Sequence, residues 1–295
     1  MEIPAERMES MLARCGVLFL VVACLPLRAA GEDAQPPQPQ ATTPTVEAPQ
    51  PEPGPPVAGA LARDFLRDQR AIWTSPLHVT RGQAARVALF GIVTAGLIAT
   101  DSRTSNALPN TRDQIAVGNA ISHIGAAYST LGLAGGMLFI GRATHDDHLA
   151  ETGFLGAEAL ADTLAVAGVL KLVTSRERPD VDSGHGHFWA GGASFPSGHA
   201  IMSWGLAEVI ASEYDDRPLV RIGACGLAGL VSLSRVTADK HFFSDVFAGG
   251  AAGFLIGRYV YRTHHDPQAH WSLRPLVQFN PSTRTYAAGL LWVRP

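Results

Sequence analysis

Six apolar segments separated by short polar breaks dominate the middle of the chain. Apolar runs of helical length that are bounded by turn residues predict helices. The pattern therefore favours an all-α fold, a bundle of six helices. The segments cover roughly 84–100, 115–140, 152–173, 199–213, 219–236 and 245–261, and the breaks fall at 101–113, 141–148, 174–196, 215–218 and 238–244.

Shorter patterned stretches flank these segments. Residues 61–72 have a helical period and place Arg63, Arg67 and Arg70 on one side, which predicts an amphipathic helix whose basic face meets solvent or anionic lipid. In the tail, 266–295, two alternating stretches lie on either side of an Asn-Pro-Ser-Thr turn. They predict a short C-terminal β-hairpin, which we expect to pack over the helical domain.

The amino-terminal residues lack the pattern of a packed domain. Two arginines precede the apolar run 15–27, and small residues follow it, which is typical of an export signal or anchor over residues 1–31. The sequence ending at Cys24 also fits a lipid-attachment box, so a lipid on Cys24 is an alternative. Residues 32–58 are rich in proline and predict a disordered linker, which leaves 59–265 as the helical domain.

Composition narrows the class of protein. Apolar residues make up 46% of the chain and charged residues 17%, below the roughly 25% charged residues of average soluble domains. The net charge of -3 gives no basic surface for nucleic acid. Cys15 and Cys24 lie in the expected signal, so a mature chain would keep only Cys225, and no disulfide within the chain is expected.

The apolar segments leave open whether the chain spans a membrane or is exported as a soluble bundle. Some segments are long enough to span, but 199–213 is shorter than the roughly 20 residues that a span needs. Six spans that begin outside would also turn the polar clusters described next toward the cytoplasm. An external site therefore requires a soluble bundle, an unexported amino terminus, or one segment that does not span. We favour membrane association in a bacterial cell envelope, in the inner membrane or periplasm, with an external site.

Three clusters of polar and small residues interrupt the second half of the helical region. A phosphate group carries charge on several oxygens, so its transfer is promoted by fixed cations and N–H donors. Arginine presents a planar fork to two such oxygens, lysine adds a compact charge, and the N–H groups of a helix start favour an anion. The clusters are Lys171 with Arg178 and Pro179; Pro196, Ser197, Gly198 and His199; and Ser234, Arg235, His241 and Asp245.

The two histidines suit transfer of a phosphoryl group. A neutral imidazole can attack phosphorus, and a protonated one can give a proton to the departing oxygen. His241 and Asp245 are four residues apart, so on a helix they would share a face, and the carboxylate would orient the imidazole.

Together the clusters resemble the signature of the type 2 phosphatidic acid phosphatase superfamily, which includes bacterial class A acid phosphatases and vanadium haloperoxidases. Its pattern is K-x6-R-P, P-S-G-H and S-R-x5-H-x3-D, and all eleven specified positions match. The resemblance implies the six-helix fold of that superfamily over roughly 80–262. It implies His241 as a nucleophile that becomes phosphohistidine, Asp245 as its orienting group and His199 as the general acid. The implied phosphate-binding residues are Lys171, Arg178, Ser197, Gly198 and Arg235.

The resemblance also implies a phosphoric ester hydrolase that needs no metal or other cofactor and is inhibited by vanadate. Ser194 and Phe195 before the Pro-Ser-Gly-His cluster, and Ala200 after it, favour a lipid phosphate substrate of the phosphatidic acid or polyprenyl pyrophosphate type. One alternative is a soluble exported acid phosphatase that acts on small phosphoesters. Another is a haloperoxidase with vanadate as its cofactor. A bundle that only binds lipid is disfavoured, because binding alone would not need both histidines and Asp245.

Overall fold

The structure is a computed structural model that describes residues 57–181, 184–266, 272–280 and 285–293, with side chains over 61–181 and 184–266. The signal at 1–31 and nearly all of the proline-rich linker lie outside these residues. The all-α fold of the helical domain is confirmed. Its described helices are α1 (Val57–Thr74), α2 (Arg81–Asn106), α3 (Arg112–Ser122), α4 (Ala127–Thr144), α5 (Asp147–Thr174), α6 (Gly198–Glu213), α7 (Pro218–Thr237) and α8 (Phe243–His264).

One predicted segment, 115–140, forms two helices rather than one. A 3-10 turn, His123–Gly125, separates α3 from α4. A Cβ on Gly125 would lie 2.2 Å from Cγ1 of Val231 and 2.6 Å from Oγ of Ser203. The chain therefore bends where glycine lets its backbone touch both α6 and α7, which the apolar pattern alone did not reveal.

Helix α2 continues past the predicted break at Asp101 and ends at Asn106. The expectation of a loop beginning at Asp101 is wrong, because this carboxylate is paired inside the protein. Asp101 is 1% exposed and accepts a hydrogen bond from Nη2 of Arg176 at 2.8 Å. A paired acid can remain within a helix that packs against the bundle.

Glycines in α8 let it approach α6 closely. A Cβ on Gly253 would lie 2.1 Å from the carbonyl oxygen of Ile201, and one on Gly249 would lie 2.8 Å from that of Ser197. Gly257 continues the row, since the three glycines are four residues apart and share one face of the helix. This packing brings the first turns of α6 and α8 together, and these turns carry two of the three polar clusters.

The main apolar core lies between α5, α6 and α8. Its fully buried side chains come from all three helices, so these helices form one rigid unit. They include Leu155, Leu160, Ile201, Val209 and Val260.

Helix α1 is attached to this core along one face. Asp68, 2% exposed, accepts a hydrogen bond from the hydroxyl of Tyr259 at 2.9 Å and lies 2.9 Å from Nε2 of His264. Nε2 of Gln69 donates to Oδ1 of Asp162 at 2.8 Å. The three arginines of the predicted basic face are all exposed.

Within the part of the chain that the structure describes, four helical segments are long and apolar enough to cross a membrane: α2, α3 with α4, α5 and α7. In α2, none of the most apolar 18-residue window is buried. Leu89 is 61% exposed and Ile92 is 69% exposed. Exposed apolar surface of this extent is rare on soluble monomers, so these features support a membrane-integrated protein.

Two antiparallel strands follow the helical domain, β1 (Ser272–Asn280) and β2 (Thr285–Val293). Ser272 pairs with Val293 and Asn280 pairs with Thr285. Residues 281–284 and the side chains of both strands lie outside the described part of the chain. Packing of this tail on the helical domain therefore stays a prediction.

Candidate active site

The three polar clusters meet at one end of the bundle. Helices α5 and α7 end there, and helices α6 and α8 begin there. Ser197 donates its backbone N–H to the carbonyl oxygen of Asp245 at 3.0 Å, which joins the second cluster to the third. The structure brings together all eight predicted site residues: Lys171, Arg178, Ser197, Gly198, His199, Arg235, His241 and Asp245.

The His241–Asp245 pair is buried at the start of α8. Nδ1 of His241 lies 3.5 Å from Oδ2 of Asp245, and the side chains are 3% and 0% exposed. The expectation that they share a helical face is wrong, because α8 begins at Phe243 and His241 precedes it. They meet because the Asp245 carboxylate turns back over the helix start, where it also accepts the N–H of Phe242 at 2.9 Å.

The electrostatics of this pair suit a nucleophile. Burial lowers the pKa of His241, and the opposing effect of Asp245 does not restore it. Burial also acts to raise the pKa of Asp245, but the hydrogen bond from His241 and the charge of Arg176 outweigh it, so this pKa lies below its usual range. A neutral imidazole whose Nδ1 faces an ionised carboxylate keeps Nε2 for an electrophile.

Arg176 and Ser194 hold the Asp245 carboxylate, although neither is among the predicted site residues. Nη1 of Arg176 donates to Oδ1 at 2.7 Å, and Oγ of Ser194 donates to Oδ2 at 2.5 Å. The Arg176 guanidinium lies over the rings of Phe188 and Phe242, 4.7 Å and 4.3 Å from their centroids. Both oxygens of the Asp245 carboxylate, which faces His241, are thus held in place by hydrogen bonds.

The network extends to Asp101 on α2. Arg176 joins the carboxylates of Asp101 and Asp245, with both ion pairs at 2.8 Å or less. Ser244 donates its Oγ to Asp101 and accepts a hydrogen bond from Nη1 of Arg176. The signal that could have found Asp101 is its place at the end of an apolar segment, since ionisable residues in such segments are usually functional.

Several donors beside the pair lack partners. Oγ of Ser197 and Nε of Arg235 are buried and have no hydrogen-bond partner within 61–181 and 184–266. Helix α6 begins at Gly198, so the N–H groups of its first turn have no partner inside the helix. Donors of this kind, at a helix start, form a site for an anion.

Three cations surround these donors. Lys171 donates to the carbonyl oxygen of Ala193 at 2.5 Å, and its Cε lies 3.8 Å from where a Cβ on Gly198 would stand. The positive charges of Lys171, Arg178 and Arg235 act on one another across the site. Because like charges repel, a bound anion would stabilise this arrangement.

His199 lies in the first turn of α6, next to the cations. Burial and the charge of Arg235 lower its pKa to about 4. The imidazole is therefore neutral near pH 7 before an anion binds. A bound anion would favour its protonated form.

Comparison with known sequences gives partial matches to this chain. A PA-phosphatase related-family protein of Dictyostelium discoideum is 31% identical over an alignment of 148 residues, and the match covers 42% of this chain and 54% of that protein. The chain thus spans about half the length of this relative. A Lipid A 1-phosphatase of Porphyromonas gingivalis is 33% identical over 69 residues, 23% of this chain and 16% of that protein.

Two solved structures show a limited likeness to the fold. A transmembrane PAP2 type phosphatidylglycerolphosphate phosphatase from Bacillus subtilis gives a TM-score of 0.43 at 24% identity, covering 69% of this chain and 94% of that one. LpxE of Aquifex aeolicus gives a TM-score of 0.43 at 19% identity, covering 55% of this chain and 92% of that one. The model of the PAP2 superfamily matches residues 152–269, the range that contains every position of the three clusters, so this part of the chain is similar to that superfamily.

Proposed function

We propose that this chain is a phosphoric ester hydrolase that releases phosphate from lipid phosphate monoesters or pyrophosphates through a phosphohistidine on His241. The lipid A 1-phosphatase and the other phosphatases among its relatives support a phosphorylated lipid as the substrate class. The exposed apolar helices support access from a membrane. We place this activity in a bacterial cell envelope, with the site on the external face of the membrane.

In the first step, Nε2 of His241 attacks phosphorus, and the bond to the leaving oxygen breaks. Asp245 accepts the hydrogen bond from Nδ1–H and stabilises the positive ring that forms. His199 gives its proton to the leaving oxygen, so the alcohol or phosphate product departs. Lys171, Arg178 and Arg235 stabilise the charge on the phosphoryl oxygens.

In the second step, water attacks phosphorus and the bond to His241 breaks. The now neutral His199 takes a proton from that water, which regenerates the general acid and releases inorganic phosphate. Each atom and proton is thus accounted for by one substrate, one water and two histidines.

The observation that carries this proposal is the pairing of a buried His241–Asp245 unit with unpartnered anion donors beside it. If the His241–Asp245 pair only stabilised the fold, the buried donors of Ser197 and Arg235 would have no reason to lack partners. Each such donor costs about 1–3 kcal/mol of folding free energy. A substrate phosphate would satisfy them. The same donors stabilise a transferring phosphoryl group more strongly than a resting one.

The activity is expected to persist in excess chelator and to be blocked by vanadate. The three fixed cations supply the charge that a metal would otherwise provide, and vanadate can adopt the five-coordinate geometry of the transferring group. Purified protein in detergent should release phosphate from phosphatidic acid or a polyprenyl pyrophosphate faster than from small phosphoesters. A strict requirement for Mg²⁺ would contradict the mechanism, and a preference for small phosphoesters would favour the acid phosphatase alternative.

His199→Asn is expected to slow the turnover of substrates with poor leaving groups far more than that of substrates with good ones. A general acid contributes about 10²–10⁴-fold, and an alkoxide needs that proton whereas a nitrophenolate does not. The measurement is turnover of a glycerol-type phosphate and of a nitrophenyl phosphate by both proteins. Equal losses on the two substrates would show that His199 binds phosphate rather than donating a proton.

A proton measurement separates these roles further. Because the pKa of His199 is about 4 without an anion and an anion raises it, vanadate binding near pH 6 should take up a proton. Calorimetric titrations in two buffers of different ionisation enthalpy would measure this uptake. His199→Asn should abolish it, and an unchanged uptake would exclude His199 as the group that is protonated.

A further inference from the structure

A second cluster of ionisable side chains lies at the opposite end of the bundle from the candidate active site. Helix α5 begins there with His148 and Glu151, and α6 ends there with Glu213. His265 directly follows the end of α8. Glu151 and Glu213 are 3% and 6% exposed. Two carboxylates buried side by side require positive charge between them.

Glu213 lies between the two imidazoles. Its Oε2 is 3.1 Å from Nε2 of His148, and its Oε1 is 3.1 Å from Nδ1 of His265. One ligand atom each from Glu151, Glu213 and His265 lie within 4.8 Å of one another. Three donor atoms from three helix ends therefore point to one small volume, and His148 contacts the other carboxylate oxygen of Glu213.

The donor set is that of a transition-metal site. Zn²⁺ takes imidazole nitrogen and carboxylate oxygen at about 2.0–2.2 Å, so donors around one ion are about 3–4 Å apart. The donor atoms of Glu151, Glu213 and His265, all within 4.8 Å of one another, would have to move only slightly closer to reach that range. Imidazole favours zinc over the hard cations Mg²⁺ and Ca²⁺, and the His148 side chain, 44% exposed, leaves an entry path.

The rings of both histidines are already held in place. His148 lies against Tyr214 with 4.5 Å between ring centroids, and His265 stacks on Tyr261 at 4.6 Å. The backbone N–H of Asp266 also reaches Oε1 of Glu151, at 3.4 Å. Such supporting contacts orient ligands before an ion arrives.

We propose that Glu151, Glu213 and His265 bind one divalent transition-metal ion, with Zn²⁺ the best fit, and that this ion ties together the ends of α5, α6 and α8. His148 supports the site by holding the Glu213 carboxylate. The ion is structural and takes no part in the reaction at the other end of the bundle. The competing arrangement is two imidazolium–carboxylate pairs without an ion. In that arrangement, protons rather than a metal lie between Glu213 and the histidines.

The test is zinc binding by the full chain in detergent, after removal of metal with a chelator. Competition with a chromophoric chelator should give one Zn²⁺ per chain, and saturating zinc should raise the midpoint of thermal unfolding. Glu213→Gln and His265→Gln should each weaken zinc binding at least about 100-fold, because even loss of an outer partner costs about 10–100-fold. His148→Gln, at an exposed position, removes the supporting partner of Glu213 and should weaken zinc binding about 10–100-fold.

His145→Asn is the matched control. His145 is an exposed histidine three residues from His148, and its φ of 57° is one that asparagine adopts readily. This variant should bind zinc like the wild type. Absence of stoichiometric zinc in the wild type, or equal affinity in His148→Gln and the wild type, would overturn the proposal. Phosphatase turnover is a separate readout, because it should be the same with and without zinc.

Discussion

Replacing His241 with alanine is expected to reduce turnover by about 10⁴–10⁶-fold, the range seen when a catalytic nucleophile or its base is removed. In the proposed mechanism the imidazole forms the bond to phosphorus, so no neighbouring side chain can take over its step. His241 is 3% exposed, and its removal leaves Asp245 without one partner. A second variant, His241→Asn, keeps a polar group beside the carboxylate and should lose activity to the same extent.

Trapping the intermediate tests this assignment directly. Labelled substrate that is quenched during turnover should place acid-labile phosphate on His241 in the wild type, and on no residue in either variant. His78→Ala, at an exposed histidine in the turn after α1, is the control and should keep both label and turnover. Label that persists in His241→Ala would assign the nucleophile to another residue.

The chemistry of the candidate site was open to prediction because its residues lie in short sequence clusters of fixed spacing. Spacing within one turn or loop reports on local geometry, so Ser197 and Gly198 at a helix start could be inferred from the sequence. The roles of these residues remain predictions, whereas their convergence at one end of the bundle is a feature of the structure.

The support beneath the site was not predictable in the same way. Asp101 and Arg176 are 75 residues apart, and no local pattern states that they will meet. The apolar pattern instead predicts a helix break at Asp101, because the polar residues that follow it resemble a loop. Only the packing of α2 against α8 converts this residue into a buried partner.

The course of the helices shows the same limit. Apolar periodicity predicted where helices lie, because it reflects burial along one element. It did not reveal the bend at Gly125, which depends on contact with Val231 more than a hundred residues later in the chain. The close approach of α6 and α8 was likewise hidden in glycines whose spacing has meaning only once the two helices are paired.

Arg176→Ala is expected to lower the free energy of unfolding by about 3–5 kcal/mol, the usual cost of leaving a buried charge without its partner. Its loss exposes both Asp101 and Asp245 to this penalty, and turnover should fall as well because Asp245 loses its support. The measurement is thermal or denaturant unfolding of both proteins in the same detergent. Arg258→Ala is the matched control. It also removes an arginine that is paired with a carboxylate, that of Glu208 at 3.0 Å, but the Arg258 side chain is 33% exposed.

Two further observations separate an electrostatic role of Arg176 from packing. Asp101→Asn in the Arg176→Ala background should recover part of the loss, since one unpaired carboxylate disappears. Arg176 helps to hold the pKa of Asp245 below its usual range. The stability that this ion pair contributes is therefore present above the unfolded pKa of about 3.9, and it is lost as pH falls through the lower pKa of the folded state. The stability difference between wild type and Arg176→Ala should therefore narrow as pH is lowered toward 4 and below. A difference that stays constant with pH, together with no recovery in the double variant, would show that Arg176 acts through the contacts of its side chain with Phe188 and Phe242 and not through its charge.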